Sequence, residues 1–205
     1  MPWITTESGK HINTDWFDKE RQIEANKAEA NEKNLVEKYQ YINPNYTKDA
    51  KHFDPYSNNC VKCAIAFEAN MRGDDVEALG RNYKDSNENE LVRTDKSIAK
   101  AIGKQNDIWE VGANNRELVV KRINEQMEDF GPNSRAILSL NHKNGHHVVN
   151  VLANNGKPII VDAQSGKHGD VASMLKYYNT KNANIIRIDD AKISDEIRNW
   201  AYKKR

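Results

Sequence analysis

Cysteine is scarce in this chain. There are two in 205 residues, both inside "NNCVKCAIAFEANMRG", residues 58–73. Two thiols cannot build a disulfide framework, so a reducing compartment is the default expectation. Long apolar runs are also missing. No segment approaches the roughly 20 residues that a bilayer-spanning helix needs, and "MPWITTESGKHI" at the N-terminus lacks the apolar stretch of a signal peptide. Charge of one sign is missing as well. Lys+Arg of 31 against Asp+Glu of 30 leaves a net charge of +1, which gives no general electrostatic reason to expect nucleic acid or a membrane surface as partner. With 30% charged and 38% hydrophobic residues, the expectation is a soluble chain, cytoplasmic at synthesis. It has length for one sizeable domain with extensions, or two small ones.

What is present changes in texture along the chain, without internal repeats. Residues 14–40 are rich in helix formers, with Thr14 or Asp15 to cap the start. Their apolar positions (Trp16, Ile23, Leu35, Val36, Tyr39) are too sparse for an isolated helix, so this segment is expected to pack on the domain or on a partner. Residues 41–59 carry two prolines among many Asn and Asp and read as an ordered loop. A helix is expected from Cys60 to Met71, with Asn59 as its cap, and then polar surface loop after Gly73. "TDKSIAKAIG" reads as a short capped helix, and Trp109 lies in a segment of undetermined type. "NNRELVVKRINEQMEDFG" has Leu118, Val119, Ile123, Met127 and Phe130 at helical spacing before a glycine stop. Three apolar runs at 135–140, 146–152 and 158–162 are separated by "NHKNG" and "NNGK", which predicts a three-stranded antiparallel meander. "DVASMLKYYNT" reads as a helix, "NIIRID" as a strand and "SDEIRNWAYKK" as a terminal helix, with "YKKR" as a solvated tail. Helices followed by an antiparallel sheet make an α+β domain.

The Cys60–Cys63 pair admits three readings. Zinc would need two further ligands, for which His142, His146 and His147 are candidates, but neighbours on a strand point to opposite faces. A thiol–disulfide motif would be expected just after a strand, whereas here a Pro/Asn-rich loop precedes it. The third reading separates the two thiols. Cys60 lies in the first helical turn, where free N–H groups and the helix dipole stabilise a thiolate nucleophile. Cys63 falls on an apolar face with Ala64, Phe67 and Met71, as a small buried residue. A thiol nucleophile needs a base and an orienting group. His147 shares a strand face with Val149 and Val151, and His146 shares one with Val148 and Asn150; either could face a cleft. The "NNGK" turn brings Asp162 across from residues 147–149, near enough to accept from an imidazole.

The blocks "NNCVKCAIAFEANMRGDDVEAL" and "HHVVNVLANNGKPIIVDAQSGK" resemble the papain-fold toxin family, over roughly residues 57–167 and in the family's order. These domains occur in bacterial polymorphic toxins and phage head-associated proteins, and are related to effectors that deamidate glutamine in host proteins. The resemblance implies a papain-like core with N-terminal helices packed on an antiparallel β-sheet, residues 1–45 being a helical extension and 46–205 the hydrolase domain. It implies Cys60 as nucleophile, His147 as base and Asp162 as orienting acid. Asn59 or the backbone N–H of Cys60 would form the oxyanion hole, with Gln164 in support. The family's Gly-His is here Gly145-His146-His147, and the V-x-N pattern that follows sets the register on His147. The implied activity is a cofactor-free cysteine amidohydrolase acting on a protein substrate, with deamidation or proteolysis as outcomes of the same triad. The implied partners are an immunity protein or a phage structural protein, and the implied destination is another cell or a phage particle. "WITTESGKHI" is similar to segments of phage structural proteins. A non-enzymatic head-associated or host-binding role on the same fold is the rival expectation.

Overall fold

A computed structural model describes residues 3–5, 11–13, 39, 41–48, 53–142, 145–154 and 157–205. The chain divides into two compact units, residues 1–37 and 38–205. In the first, β1 (Trp3–Thr5) pairs antiparallel with β2 (His11–Asn13), with Ile4 opposite Ile12. Apart from Tyr39, the helix expected over 14–40 lies outside the described residues.

The second unit is organised by a six-stranded antiparallel sheet in the order β4-β9-β5-β6-β7-β8. The expected meander forms its middle as β5 (Arg135–His142), β6 (Gly145–Asn154) and β7 (Lys157–Asp162). Three further strands widen it: β4 (Ile108–Glu110), β8 (Lys167–Asp170) and β9 (Asn182–Arg187). β9 corresponds to the expected last strand, but it inserts between β4 and β5. Trp109 sits on β4, opposite Ile185.

Strand alternation divides the apolar residues between two faces. On one face Ile137, Val148 and Ile186 meet Val61, Ala64 and Ile65 of helix α1 (Cys60–Met71). On the other, Leu138, Leu140, Val149 and Val151 meet Val119, Ile123 and Met127 of a later helix, Arg116–Phe130. In chain order the helices between are α2 (Ser86–Leu91) and α3 (Asp95–Ala101), which makes Arg116–Phe130 α4. α5 (Val171–Tyr177) lies with α4, and α6 (Asp195–Ala201) with α1. The result is a mixed fold with helices on both faces of an antiparallel sheet, the α+β class expected.

α1 departs from the one-sided helix expected for it. All residues from Val61 to Asn70 are buried, because the helix is covered on its outer side too: Tyr39 stacks edge-on against Phe67, with ring centroids 5.0 Å apart. Its small residues, Cys63, Ala64, Ala66 and Ala69, let neighbours approach on every side. The polar residues in this buried helix are each satisfied. Lys62 Nζ reaches Glu88 Oε2 at 3.0 Å and the Gly80 carbonyl at 2.9 Å. Glu68, fully buried, accepts from Arg72 Nε at 2.7 Å and from Arg135 Nε and Nη2 at 2.8 and 2.9 Å.

Two local expectations are corrected. The polar stretch after Gly73, expected as surface loop, contains β3 (Val76–Ala78) and α2. The "YKKR" end, expected as a solvated tail, forms β10 (Tyr202–Lys204), antiparallel to β3, and Arg205 N–H donates to Asp75 O at 3.1 Å. The two strands escaped for one reason. A three-residue strand gains its hydrogen bonds from a partner far away in sequence, and local composition carries no trace of it.

Removing charge from Glu68 leaves two guanidinium groups over a buried, uncompensated site. Glu68→Gln is therefore expected to lower the unfolding free energy by about 3 kcal/mol in urea denaturation. Glu90→Gln, which loses an exposed pair with Arg93, should leave the midpoint unchanged.

Candidate active site

Cys60 is the first residue of α1, and the helix start is not capped by a side chain. Asn59, expected as the cap, turns inward instead. Its Nδ2 donates to Leu79 O at 3.0 Å and Asn43 Oδ1 at 3.2 Å. Its Oδ1 accepts from Gln164 Nε2 at 3.1 Å, Asn43 Nδ2 at 3.3 Å and Cys63 Sγ at 3.3 Å. Both N–H groups of the Asn59 amide are thus taken. The first turn of α1 contains no acidic residue, so the positive end of the helix dipole is left to act on whatever stands there. What stands there is the half-buried Cys60 thiol.

His147 and Asp162 meet where the sheet opens. β6 is paired with β5 from Leu152 out to His142↔Gly145. Its ladder with β7 stops at Asn150↔Val161. From Val149 back towards His147, β6 therefore has a neighbour on one side only. Asp162 is one step beyond the last β6–β7 pair and turns into β8 through its own pairing with Lys167. His147 Nε2 lies 3.1 Å from Asp162 Oδ2, although the ring N–H is not aligned for a well-formed hydrogen bond. With Nε2 turned to Asp162, Nδ1 is the ring nitrogen left for Cys60.

A cavity of about 130 Å³ joins these elements, lined among others by Asn59, Cys60, His146, His147 and Gln164. A larger hollow of about 500 Å³ lies between α4, the β6–β7 hairpin and the start of α5, away from every one of these residues. Size does not decide between them. The cysteine and the two histidines line the smaller one.

The charges at the site are strongly coupled. Burial opposes a charged His147, but the hydrogen bonding and charge of Asp162, and then of Cys60, outweigh it and lift the imidazole from 6.5 to about 10. Burial likewise opposes a charged Asp162, and His147, Ser165 and Tyr178 outweigh it to hold the carboxyl at about 2. Cys63 behaves differently: burial first, and then the neighbouring charges of Cys60 and Asp162, push its thiol well above the ordinary range. It stays a thiol and donates to Asn59. The two cysteines three residues apart are both free and stand in unlike surroundings. Among the described residues, no group of three or more His, Cys, Asp or Glu side chains is placed to hold a metal.

The structure thus brings Cys60, His147, Asp162, Asn59 and Gln164 together, and adds two residues that the sequence analysis did not name. Ser165 Oγ and Tyr178 OH both donate to Asp162 Oδ2, each at 2.5 Å, while the backbone N–H groups of Gln164 and Ser165 donate to Oδ1 at 3.0 and 3.4 Å. The Tyr178 ring also packs on His147, with centroids 5.0 Å apart. Ser165 had a readable signal: Asp followed three residues later by Ser makes a turn closed by the side chain. Tyr178 had none, since it follows α5 and reaches the site through space.

Comparison with known proteins identifies a family. A family model described as papain fold toxin 1, glutamine deamidase, matches residues 58–167, more than half of the chain. The chain belongs to this family. The match starts two residues before Cys60 and ends at the first residue of β8, so β9, α6 and β10 lie outside it. No curated protein matches. Among solved structures the fold is similar to the Pseudomonas avirulence protein AvrPphB, at 12% identity over 64% of this chain and 91% of that chain with a TM-score of 0.42, a distance at which nothing further is drawn from it. No helix among the described residues is long and apolar enough to cross a membrane.

The coupling sets a pH window. The His147–Asp162 pair stabilises the fold fully above the unfolded carboxylate value of 3.8 and below the unfolded imidazole value of 6.5. That contribution is lost as pH falls through about 2 or rises through about 10. By imidazole NMR, wild type should keep the His147 imidazolium well above neutrality, and Asp162→Asn should bring its titration down towards the ordinary value. In denaturant melts Asp162→Asn should be less stable than wild type at about pH 5, with the gap closing above about pH 10.

Proposed function

We propose that this chain hydrolyses the side-chain amide of a glutamine in a protein substrate, with Cys60 as nucleophile, His147 as proton carrier and Asp162 as the group that orients the imidazole. The observation that supports this most is the 3.1 Å approach of His147 Nε2 to Asp162 Oδ2, in the same cavity as a cysteine at the uncapped start of a helix. Membership of a glutamine deamidase family supports the choice of amide. So does the cavity: about 130 Å³ is well below the size of sites that take drug-sized ligands, and suits one side chain entering end-on.

In the proposed reaction the Cys60 sulfur attacks the carboxamide carbon and the carbonyl oxygen takes up negative charge. The backbone N–H of Cys60 and an N–H of Gln164 Nε2 are the donors proposed for that oxyanion, since both N–H groups of the Asn59 amide are engaged. His147 gives its proton to the departing nitrogen, the carbon–nitrogen bond breaks and ammonia leaves. A thioester remains on Cys60. His147, now neutral, takes a proton from water as its oxygen attacks the thioester carbon. The carbon–sulfur bond breaks, releasing glutamate and the Cys60 thiolate with His147 again protonated. Ser165 and Tyr178 hold Asp162 in place behind the imidazole. Residues 1–45 are proposed as an N-terminal extension, of which Asn43 reaches the site through Asn59 and Gln164, and the substrate, as for a toxin, as a protein of another cell.

Two measurements test the proposal. Iodoacetamide at neutral pH should label Cys60 well ahead of Cys63; equal, slow labelling of both would end the nucleophile assignment. A bacterial or host proteome exposed to wild type, and to Cys60→Ala as control, should show specific glutamines converted to glutamate. New peptide termini would indicate proteolysis by the same triad, and no Cys60-dependent change would favour a binding role. Once an activity is in hand, Tyr178→Phe should reduce kcat by about tenfold with little change in KM, as expected for a group that acts through Asp162.

A further inference from the structure

The cavity that holds Cys60 and His147 also carries a cation that the proposed chemistry does not use. Arg81 lines the cavity together with Cys60, Glu88 and Val92. Its guanidinium lies over the Tyr83 ring, 4.9 Å from the centroid, and its Nη2 donates to the neutral Asn89 Oδ1 at 3.2 Å. Its Nε N–H is buried and has no acceptor. Glu88, the carboxylate lining the same cavity, is already engaged: Oε2 pairs with Lys62 Nζ at 3.0 Å and Oε1 accepts from Asn82 N–H at 3.0 Å. Among the described residues no carboxylate forms an ion pair with Arg81.

A guanidinium stacked on an aromatic ring is held in one orientation, which fixes the direction from which a planar acceptor is met. A buried donor left unpaired carries a desolvation penalty until an acceptor arrives. The Tyr83 ring under the guanidinium is itself held edge-on by Phe53, with centroids 5.6 Å apart. A fixed arginine in the same cavity as Cys60 forms an anion-reading group.

We propose that Arg81 determines specificity by binding a carboxylate on the substrate next to the target amide, so that the preferred substrate is a protein segment with Asp or Glu flanking the glutamine. This rests on Cys60 being the nucleophile, but not on which amide it cleaves.

The test is built to separate the two. Two short peptides carry a bromoacetamide group in place of the glutamine side chain, one flanked by glutamates and the other by lysines. Cys60 alkylation is followed by intact mass. In wild type the glutamate peptide should react about tenfold faster than the lysine peptide; in Arg81→Met the ratio should fall to within about twofold, and in Arg81→Lys much of it should return. Equal rates in wild type, or a ratio unchanged in Arg81→Met, would overturn the assignment of Arg81 while selective iodoacetamide labelling of Cys60 left the nucleophile standing. Failure of Cys60 to react ahead of Cys63 with any of these reagents would remove both.

Discussion

One buried amide, immediately before Cys60, ties the site to the fold. Asn59 hydrogen-bonds to Asn43 in the loop before it, to the Leu79 carbonyl beyond α1, to Cys63 one turn into the helix and to Gln164 in the loop after β7. A buried polar side chain without partners costs more than its hydrogen bonds contribute. The arrangement is therefore close to all-or-none, and it holds the start of α1 against a loop more than a hundred residues later in the chain. Because the side chain is turned inward to do this, it does not cap the helix, and the first turn is left open towards the cavity. The inward turn of Asn59 and the open helix start at Cys60 are one feature.

The second constraint is the parting of β6 from β7. Two strands hydrogen-bonded to their ends would keep His147 and the helix that packs on Val148 and Asn150 on opposite faces of a closed sheet. Ending the ladder at Asn150↔Val161 leaves the end of β6 open on that side, so that a residue on one face can share a cavity with a helix on the other. Asn150 marks the boundary. It is the last residue of β6 paired with β7, and its Nδ2 donates to Ala64 O of α1 at 3.2 Å, which fixes the helix relative to the opening. The Asx turn at Asp162, closed by Gln164, Ser165 and Tyr178, then fixes the carboxylate at the other edge.

Much of this was legible beforehand where the signal is local. The α1 boundaries, the three central strands and the helical periodicity of α4 follow from patterns of apolar residues and turn residues within single segments. The different characters of Cys60 and Cys63 also follow from helical spacing alone. The pieces that escaped depend on distant partners. β3 and β10 stabilise each other from opposite ends of the second unit, Tyr178 contacts His147 and Asp162 across the sheet edge, and Arg81 enters the cavity from a stretch that composition describes only as polar.

By itself the sequence determined which residue types were available for the chemistry, their order along the chain and the element that carries each, because periodicity, capping and hairpin turns are read over a few residues. It also determined that residue 162 would come back beside the strand of His147, since a short turn sets the register of a hairpin. Only the tertiary structure decided that Asn59 faces inward, that the β6–β7 ladder stops short, and that His147 is the histidine in contact with Asp162 while His146 lines the same cavity. Those outcomes depend on packing among segments tens of residues apart, where the cost of an unpaired buried amide or an uncompensated buried charge selects one arrangement from several that the local pattern allows.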